Sequence, residues 1–168
     1  MTATDAGYTI ERVTWADPRA IAMHEVLNAG NAERYADVLS LTDPVMQAKL
    51  AEALVVDPAE ILAALIAVDA DGEAIGHAAL RNIGDAVGEI KRVVVKPEQR
   101  GRGIALRLMT ELEDIARAHG ITRLILQTGD RQPEAVALYT RLGYTPIPVY
   151  PPYDVLMPTS FCFEKLLG

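Results

Sequence analysis

Glu89-Ile90-Lys91-Arg92-Val93-Val94-Val95-Lys96-Pro97-Glu98-Gln99-Arg100-Gly101-Arg102-Gly103-Ile104-Ala105 reads as a strand that runs into a glycine loop at the start of a helix. The valine run suits an extended strand, and Pro97 stops it because proline cannot donate to a ladder. A helix N-terminus leaves about four backbone N–H groups unsatisfied and carries partial positive charge. Residues without Cβ let an anion approach those groups closely. Arg100 and Arg102 add positive charge at the same place. The dipole contribution is on the order of 1 kcal/mol, and together these features suit a pyrophosphate. The loop has no Gly-Lys-Ser/Thr, so it is not a Walker A loop. It lacks a third glycine at dinucleotide spacing, and its strand belongs to an antiparallel meander, which argues against a Rossmann site. Taken alone, two glycines are better explained by a tight strand-to-helix turn in which glycine only relieves backbone strain.

Outward from this unit the chain alternates strands and helices. Upstream, Tyr8–Trp15 reads as a strand, and Asp17-Pro18 opens a helix ending near Asn28–Gly30. A second helical stretch falls within Asn31–Leu54, broken around Asp43-Pro44. Glu60–Val68, Glu73–Arg81 and Glu89–Val95 form a three-stranded meander joined by turns at Asp69–Gly72 and Asn82–Gly88. Downstream, Ala105, Leu108, Leu112, Ile115 and Ala116 mark an amphipathic helix closed by His119-Gly120. Thr122–Thr128 is a short buried-type strand, and Pro133–Leu142 a second amphipathic helix. Tyr144–Val149 and Thr159–Leu166 are the last strands, separated by the Pro- and Tyr-rich loop Tyr150–Pro158. The order implies a single α/β (α+β) domain over residues 1–168. Its centre is a mixed, mostly antiparallel sheet of six to seven strands, flanked by about four helices.

Composition narrows the function classes. The chain has 168 residues, 50% of them hydrophobic and 23% charged, and its mean hydropathy is +0.12, which describes a globular domain. Its longest apolar run, Ile61–Val68, is far short of the roughly 20 residues of a membrane-spanning helix. The opening MTATDAGYTIER lacks the basic and apolar regions of a secretory leader. A formal charge of −7 repels nucleic acid phosphates and mildly attracts a cationic amine. Cys162 is the sole cysteine and no Cys/His cluster has metal spacing, so a cytoplasmic, metal-free protein is expected.

Arg100-Gly101-Arg102-Gly103-Ile104-Ala105 resembles the Gln/Arg-x-x-Gly-x-Gly/Ala signature of the GNAT superfamily of acyl-CoA-dependent N-acetyltransferases. The strand before it, the helix after it and Ala135-Val136-Ala137-Leu138-Tyr139 with Leu142-Gly143-Tyr144 also look like that family. Arg131–Ala135 and Phe161–Lys165 are similar to small bacterial-type members. The resemblance is specific from about Glu89 to Tyr144 and is one of element order before that. It implies that backbone of Val93, Val94 and Val95 meets the pantetheine arm of acetyl-CoA, which pairs as a pseudo-strand with a splayed edge. It places the pyrophosphate at Arg100, Gly101, Arg102, Gly103, Ile104 and Ala105. Where many members carry an asparagine at the start of the following helix, this chain has Gln132, also an amide able to bond the pantetheine.

The resemblance also implies catalytic roles. Tyr139 matches the tyrosine that protonates the departing thiolate; a phenol with a pKa of about 10 can do so. A tyrosine packed beside Leu138 and Leu142 is the competing reading. Glu89 matches a glutamate that in some members deprotonates the ammonium, often through water. An ordinary strand-start carboxylate neutralised by Lys91 is its alternative. A strand N–H near Val95 would hold the oxyanion.

Other signals carry less. His24-Glu25 starts a zincin-like pattern whose partner position is Asn28. His77 and His119 read as structural, Ser40 and Ser160 lack a glycine elbow, and Cys162 reads as a buried filler. Two functions follow: acetyl transfer from acetyl-CoA to an amine by direct attack in a ternary complex, or a catalytically silent CoA-binding sensor. The acceptor, a small molecule or peptide amine, would be walled by residues of Asp17–Leu54 and Tyr150–Pro158. Trp15, Tyr35, Tyr150 and Tyr153 are the wall candidates, in a monomer or homodimer.

Overall fold

A computed structural model describes residues 7–168; the first half of the opening segment read for a leader lies outside them. A seven-stranded sheet runs in the order β1-β2-β3-β4-β5-β7-β6. Strands β1 (Tyr8–Val13), β2 (Ile61–Asp69), β3 (Ala74–Asn82) and β4 (Val87–Val95) form an antiparallel meander. Strand β5 (Arg123–Thr128) lies parallel to β4, and β7 (Phe161–Leu166) and β6 (Thr145–Ile147) continue the sheet antiparallel. This is the mixed, mostly antiparallel sheet expected from the sequence.

One face is covered by α4 (Ile104–Ala118), whose Ile104, Leu108, Met109, Leu112 and Ala116 are buried. They pack with Leu65, Leu80, Ile90, Leu124 and Leu126 in the larger core, which α5 (Pro133–Arg141) joins through Tyr139. The other face carries α1 (Pro18–Arg34), where Ala20 and Met23 pack on Ile66, Val68 and Val94. Two short helices, α2 (Ala36–Leu41) and α3 (Pro44–Ala53), bury none of their residues. A further four-residue helix, α6 (Tyr153–Leu156), lies inside the loop expected to be irregular.

The described residues thus hold six helices where about four were expected. Asp17 and Asp43 start α1 and α3 as read, accepting from the Arg19 and Val45 N–H groups ahead of a first-turn proline. However, α1 runs through Gly30 to Arg34, because glycine weakens a helix without ending it. Strand β6 shrinks to Thr145–Ile147, since Pro146 and Pro148 donate nothing to a ladder. No helix among the described residues is long and apolar enough to cross a membrane.

Two irregularities in β4 shape the cleft beside it. Its pairing with β5 covers only Val87, Gly88 and Glu89, after which the strands part. From Ile90 to Val95 the β5-facing backbone groups of β4 therefore have no sheet partner. On the other side the β3 register jumps between His77↔Val94 and Ala79↔Lys91, so β4 holds one extra residue there. That bulge contains Arg92 in the left-handed region, with φ of 56°. A bulge bends its strand and re-aims the residues beyond it.

Candidate active site

The splay opens a cleft of about 340 Å³ between β4, the start of α4, α5 and α1. Val93, Val94 and Val95 line it, as do Arg100, Gly101, Gly103, Ile104 and Ala105. Gly101 and Gly103 take φ of 81° and 74°, conformations that cost residues with a Cβ roughly 1–2 kcal/mol. Gly103 is the N-cap of α4 and supplies no side chain, so the first-turn N–H groups are left for a ligand. Arg102 departs from expectation: it does not line the cleft. Its guanidinium donates to Gln99 Oε1 and sits 5.6 Å from the Tyr8 ring centroid, bracing the loop against β1. Positive charge comes instead from Arg34 and Arg141, both cleft residues that the sequence did not single out. No local motif marks them, because they sit on two helices far from the loop in sequence.

The start of α5 is tied to α1 and α2 across the cleft. Arg34 pairs with Glu134 at 2.6 Å, Arg131 pairs with Asp37 at 2.7 Å, and the Arg131 N–H donates to Tyr35 Oη at 3.0 Å. Gly129 makes this possible, since a Cβ there would lie 2.0 Å from Tyr35 Oη. Gln132 lines the cleft and donates to Asn31 Oδ1 at 3.4 Å, so its amide already faces a polar neighbour. Tyr139 also lines the cleft, one helical stretch further on. Its ring packs 6.0 Å from those of Tyr144 and Phe163, and burial pushes its phenol above the usual range. It therefore stays protonated at neutral pH.

Glu89 lies at the last β4–β5 pair, where the strands part. It is 4% exposed and is not a cleft residue. Tyr150 donates to Glu89 Oε2 at 2.7 Å, while Arg81 and Lys91 approach Oε1 at 3.3 and 3.8 Å. Lys91 in turn donates to Tyr153 Oη at 2.6 Å. Burial, then the neighbouring Glu89 charge, raise the pKa values of both Tyr150 and Tyr153. Thus Tyr150 and Tyr153, two of the four wall candidates, plug the carboxylate from the α6 side. Tyr35 is tied to the start of α5 through the Arg131 N–H, and Trp15 stacks on His24 at 4.3 Å. Cys162 is buried, and burial raises its thiol pKa, which leaves no thiolate nucleophile.

Two of the three histidines, His24 and His77, sit at the bulge, and His119 caps α4. His77 is wholly buried, and its Nδ1 is 2.7 Å from the Arg92 carbonyl oxygen. A carbonyl only accepts, so Nδ1 carries the proton and Nε2 is a lone pair. His24 Nε2, 3.2 Å away, must then donate to it. Burial first, then for His24 its neighbour His77, and for both the Arg92 charge, lower the two pKa values to about 4, so the pair is neutral near pH 7. Two neutral rings thus pin the carbonyl of the bulge residue. Among the described residues no group of three or more His, Cys, Asp or Glu could hold a metal.

The chain is similar to an IAA acetyltransferase of Azospirillum brasilense, 41% identical over 48% of this chain and 52% of that protein. A mycothiol acetyltransferase of Beutenbergia cavernae is 33% identical over 54% of this chain and 31% of its own length. The chain thus spans about half or less of these curated relatives. Among solved structures, an acyl-CoA N-acyltransferase from Klebsiella pneumoniae superposes with a TM-score of 0.77 and 32% identity, covering 98% of this chain and 100% of that one. The PaiA N-acetyltransferase of Thermoplasma acidophilum, solved with coenzyme A, shares the fold with a TM-score of 0.66 at 22% identity, over 94% and 99% of the two chains. Residues 23–144 match the model of the Acetyltransferase (GNAT) family, and the chain belongs to that family.

Proposed function

We propose that the protein transfers an acetyl group from acetyl-CoA to a primary amine by direct attack in a ternary complex. The observation that carries this reading is the opening of β4 from β5 directly beside an uncapped glycine N-terminus of α4. An extended, amide-bearing pantetheine would take the vacant ladder positions of Val93–Val95. Its pyrophosphate would meet the first-turn N–H groups of α4, with Arg100, Arg34 and Arg141 around it. A β4 N–H beyond the bulge would hold the oxyanion of the tetrahedral intermediate. The amine nitrogen forms its bond to the carbonyl carbon, the C–S bond breaks, and Tyr139 gives its proton to the departing thiolate. Glu89 would accept the amine's proton, and because Tyr150 covers it the transfer would run through that hydroxyl or a water. We place the protein in the cytoplasm, as a monomer or homodimer acting on a small-molecule or peptide amine without metal or nucleic acid.

Incubation with acetyl-CoA and a broad amine panel, reading free thiol release, tests the reading. Thiol release that depends on an amine is expected. Tight coenzyme A binding with no turnover on any amine would favour the catalytically silent sensor instead. Mass spectrometry after acetyl-CoA alone should show no stoichiometric acetylation of Cys162, and a kinetically competent acetyl-Cys162 would replace direct transfer with a two-step route.

A further inference from the structure

Arg92 occupies a conformation that an L-residue pays roughly 1–2 kcal/mol to adopt and that glycine or asparagine tolerates better. An arginine in that conformation points to a use for the side chain. That side chain is half-buried on the α1 face, away from the cleft lining. Its Nη1 donates to Asn28 Oδ1 at 2.7 Å and its Nη2 to the Leu54 carbonyl at 3.5 Å. Both partners are neutral. Among the described residues no carboxylate pairs with it, and burial lowers its pKa with only Tyr153 opposing. The surrounding charges do not compensate either. Arg81 is held by Glu60 and Glu89, and Lys91 has Glu89 alone at 3.8 Å.

A partly desolvated cation without a counter-ion is costly unless a ligand supplies one. Arg92 immediately precedes Val93, which lines the cofactor cleft. An amine attacking a thioester held at Val93–Val95 from the α1 face would bring its other substituents against Arg92, Asn28 and Tyr153. Coenzyme A itself would approach from the α4 end. A guanidinium has five donors, and two of them are used here, so N–H groups remain for a carboxylate. The protein's formal charge of −7 would otherwise repel such a group.

We infer that the acceptor is an amine carrying a carboxylate, held by Arg92 with Lys91 behind it; this deepens the acetyltransferase reading and rests on it. Paired acceptors that differ only at the anion test it: L-leucine with L-leucinamide, L-phenylalanine with L-phenylalaninamide, and 4-aminobutyrate with its amide. Each is assayed with acetyl-CoA by thiol release, on the parent and on Arg92→Gln, so that differences in amine basicity cancel. Arg92→Gln should raise KM for the carboxylate member by about 10-fold or more, the equivalent of one charge-assisted hydrogen bond. The amide member should change by less than about threefold, and Arg92→Lys should recover part of the loss. Thermal stabilisation by coenzyme A should match the parent, which shows an intact fold and cofactor site. Equal losses on acid and amide would overturn the assignment. A second arm needs no turnover: coenzyme A-loaded parent and Arg92→Gln are titrated with sodium acetate against sodium chloride at equal ionic strength. Greater acetate stabilisation of the parent supports the anion site, and equal shifts overturn it. Thiol release with no pair would remove the acetyltransferase reading while this arm still decides on the anion site.

Discussion

The two sides of β4 are built from different materials. Towards α4 the site is mostly backbone: strand edge groups freed by the splay and first-turn N–H groups presented by glycines. Towards α1 and α6 it is side chains, with Arg92, Asn28, His24, His77, Lys91, Tyr150 and Tyr153 each held by another. Backbone recognition needs only a local turn and suits a ligand that never varies. On the proposed reading, side-chain recognition of the acceptor draws on five separate elements and could be rebuilt without touching the cofactor.

That contrast can be broken most sharply at Gly103. Gly103→Val puts a β-branched residue at φ of 74° and should abolish thermal stabilisation by coenzyme A while the parent fold persists. A variant stabilised as well as the parent would show that the α4 N-terminus does not hold the pyrophosphate. Next in size is Tyr139→Phe, which keeps the packing against Tyr144 and Phe163 and removes only the proton donor. Turnover on an accepted amine should fall by on the order of 10²-fold. The loss should appear in kcat more than KM, with coenzyme A affinity retained. An unchanged kcat would make Tyr139 a packing residue.

The other side is sharpened by pH. His77 has a folded pKa of about 4, below its unfolded value near 6.5. Between those values the unfolded chain binds more protons, so this contribution to stability is present above pH 6.5 and is lost as pH falls towards 4. From pH 7 to pH 5 it amounts to about 2 kcal/mol. His77→Asn, whose amide can still donate to the Arg92 carbonyl, should show a correspondingly flatter fall in urea-unfolding free energy. Parallel slopes would mean that the ring is not held neutral. The smallest effect is expected at Gly129. Gly129→Ala displaces Tyr35 and should raise KM for acetyl-CoA by roughly three- to tenfold, about the value of one lost hydrogen bond. Its kcat should barely move, and Tyr35→Phe, which deletes the same acceptor without a clash, should raise KM by a similar factor. An unchanged KM would separate the α1–α5 ties from cofactor binding.

Legibility followed the same division. Val93–Ala105 could be read because residues adjacent in sequence are adjacent in the site, and the strand, turn and helix signals all agree there. Gly103, read that way, lines the cleft, as does Tyr139, which the family resemblance pointed to. Arg92 could not be, since a left-handed arginine has no sequence signature and its partner Asn28 is 64 residues away. Arg34 and Arg141 escaped for the same reason, while Arg102 was credited with a charge that the fold turns towards Tyr8. The side chain of Glu89 was legible as a carboxylate at the strand start, but its cover by Tyr150 depends on a loop 61 residues later. Apolar patterning and turn signals described the sheet well and the helices less well, because α2 and α3 have no buried residue and leave no apolar stripe to read.

The parting of β4 and β5 leaves an unfinished edge in the interior of a sheet rather than at its border. Amide hydrogens of β4 beyond Glu89 that face this gap should exchange with solvent far faster than those bonded to β3. A cofactor that fills the gap acts as an eighth strand, and ligand at about 100 times its dissociation constant adds about 2.7 kcal/mol to the folded state. The lifetime of this protein against proteases would then follow the supply of coenzyme A, making its abundance a record of the acyl-carrier pool it draws on.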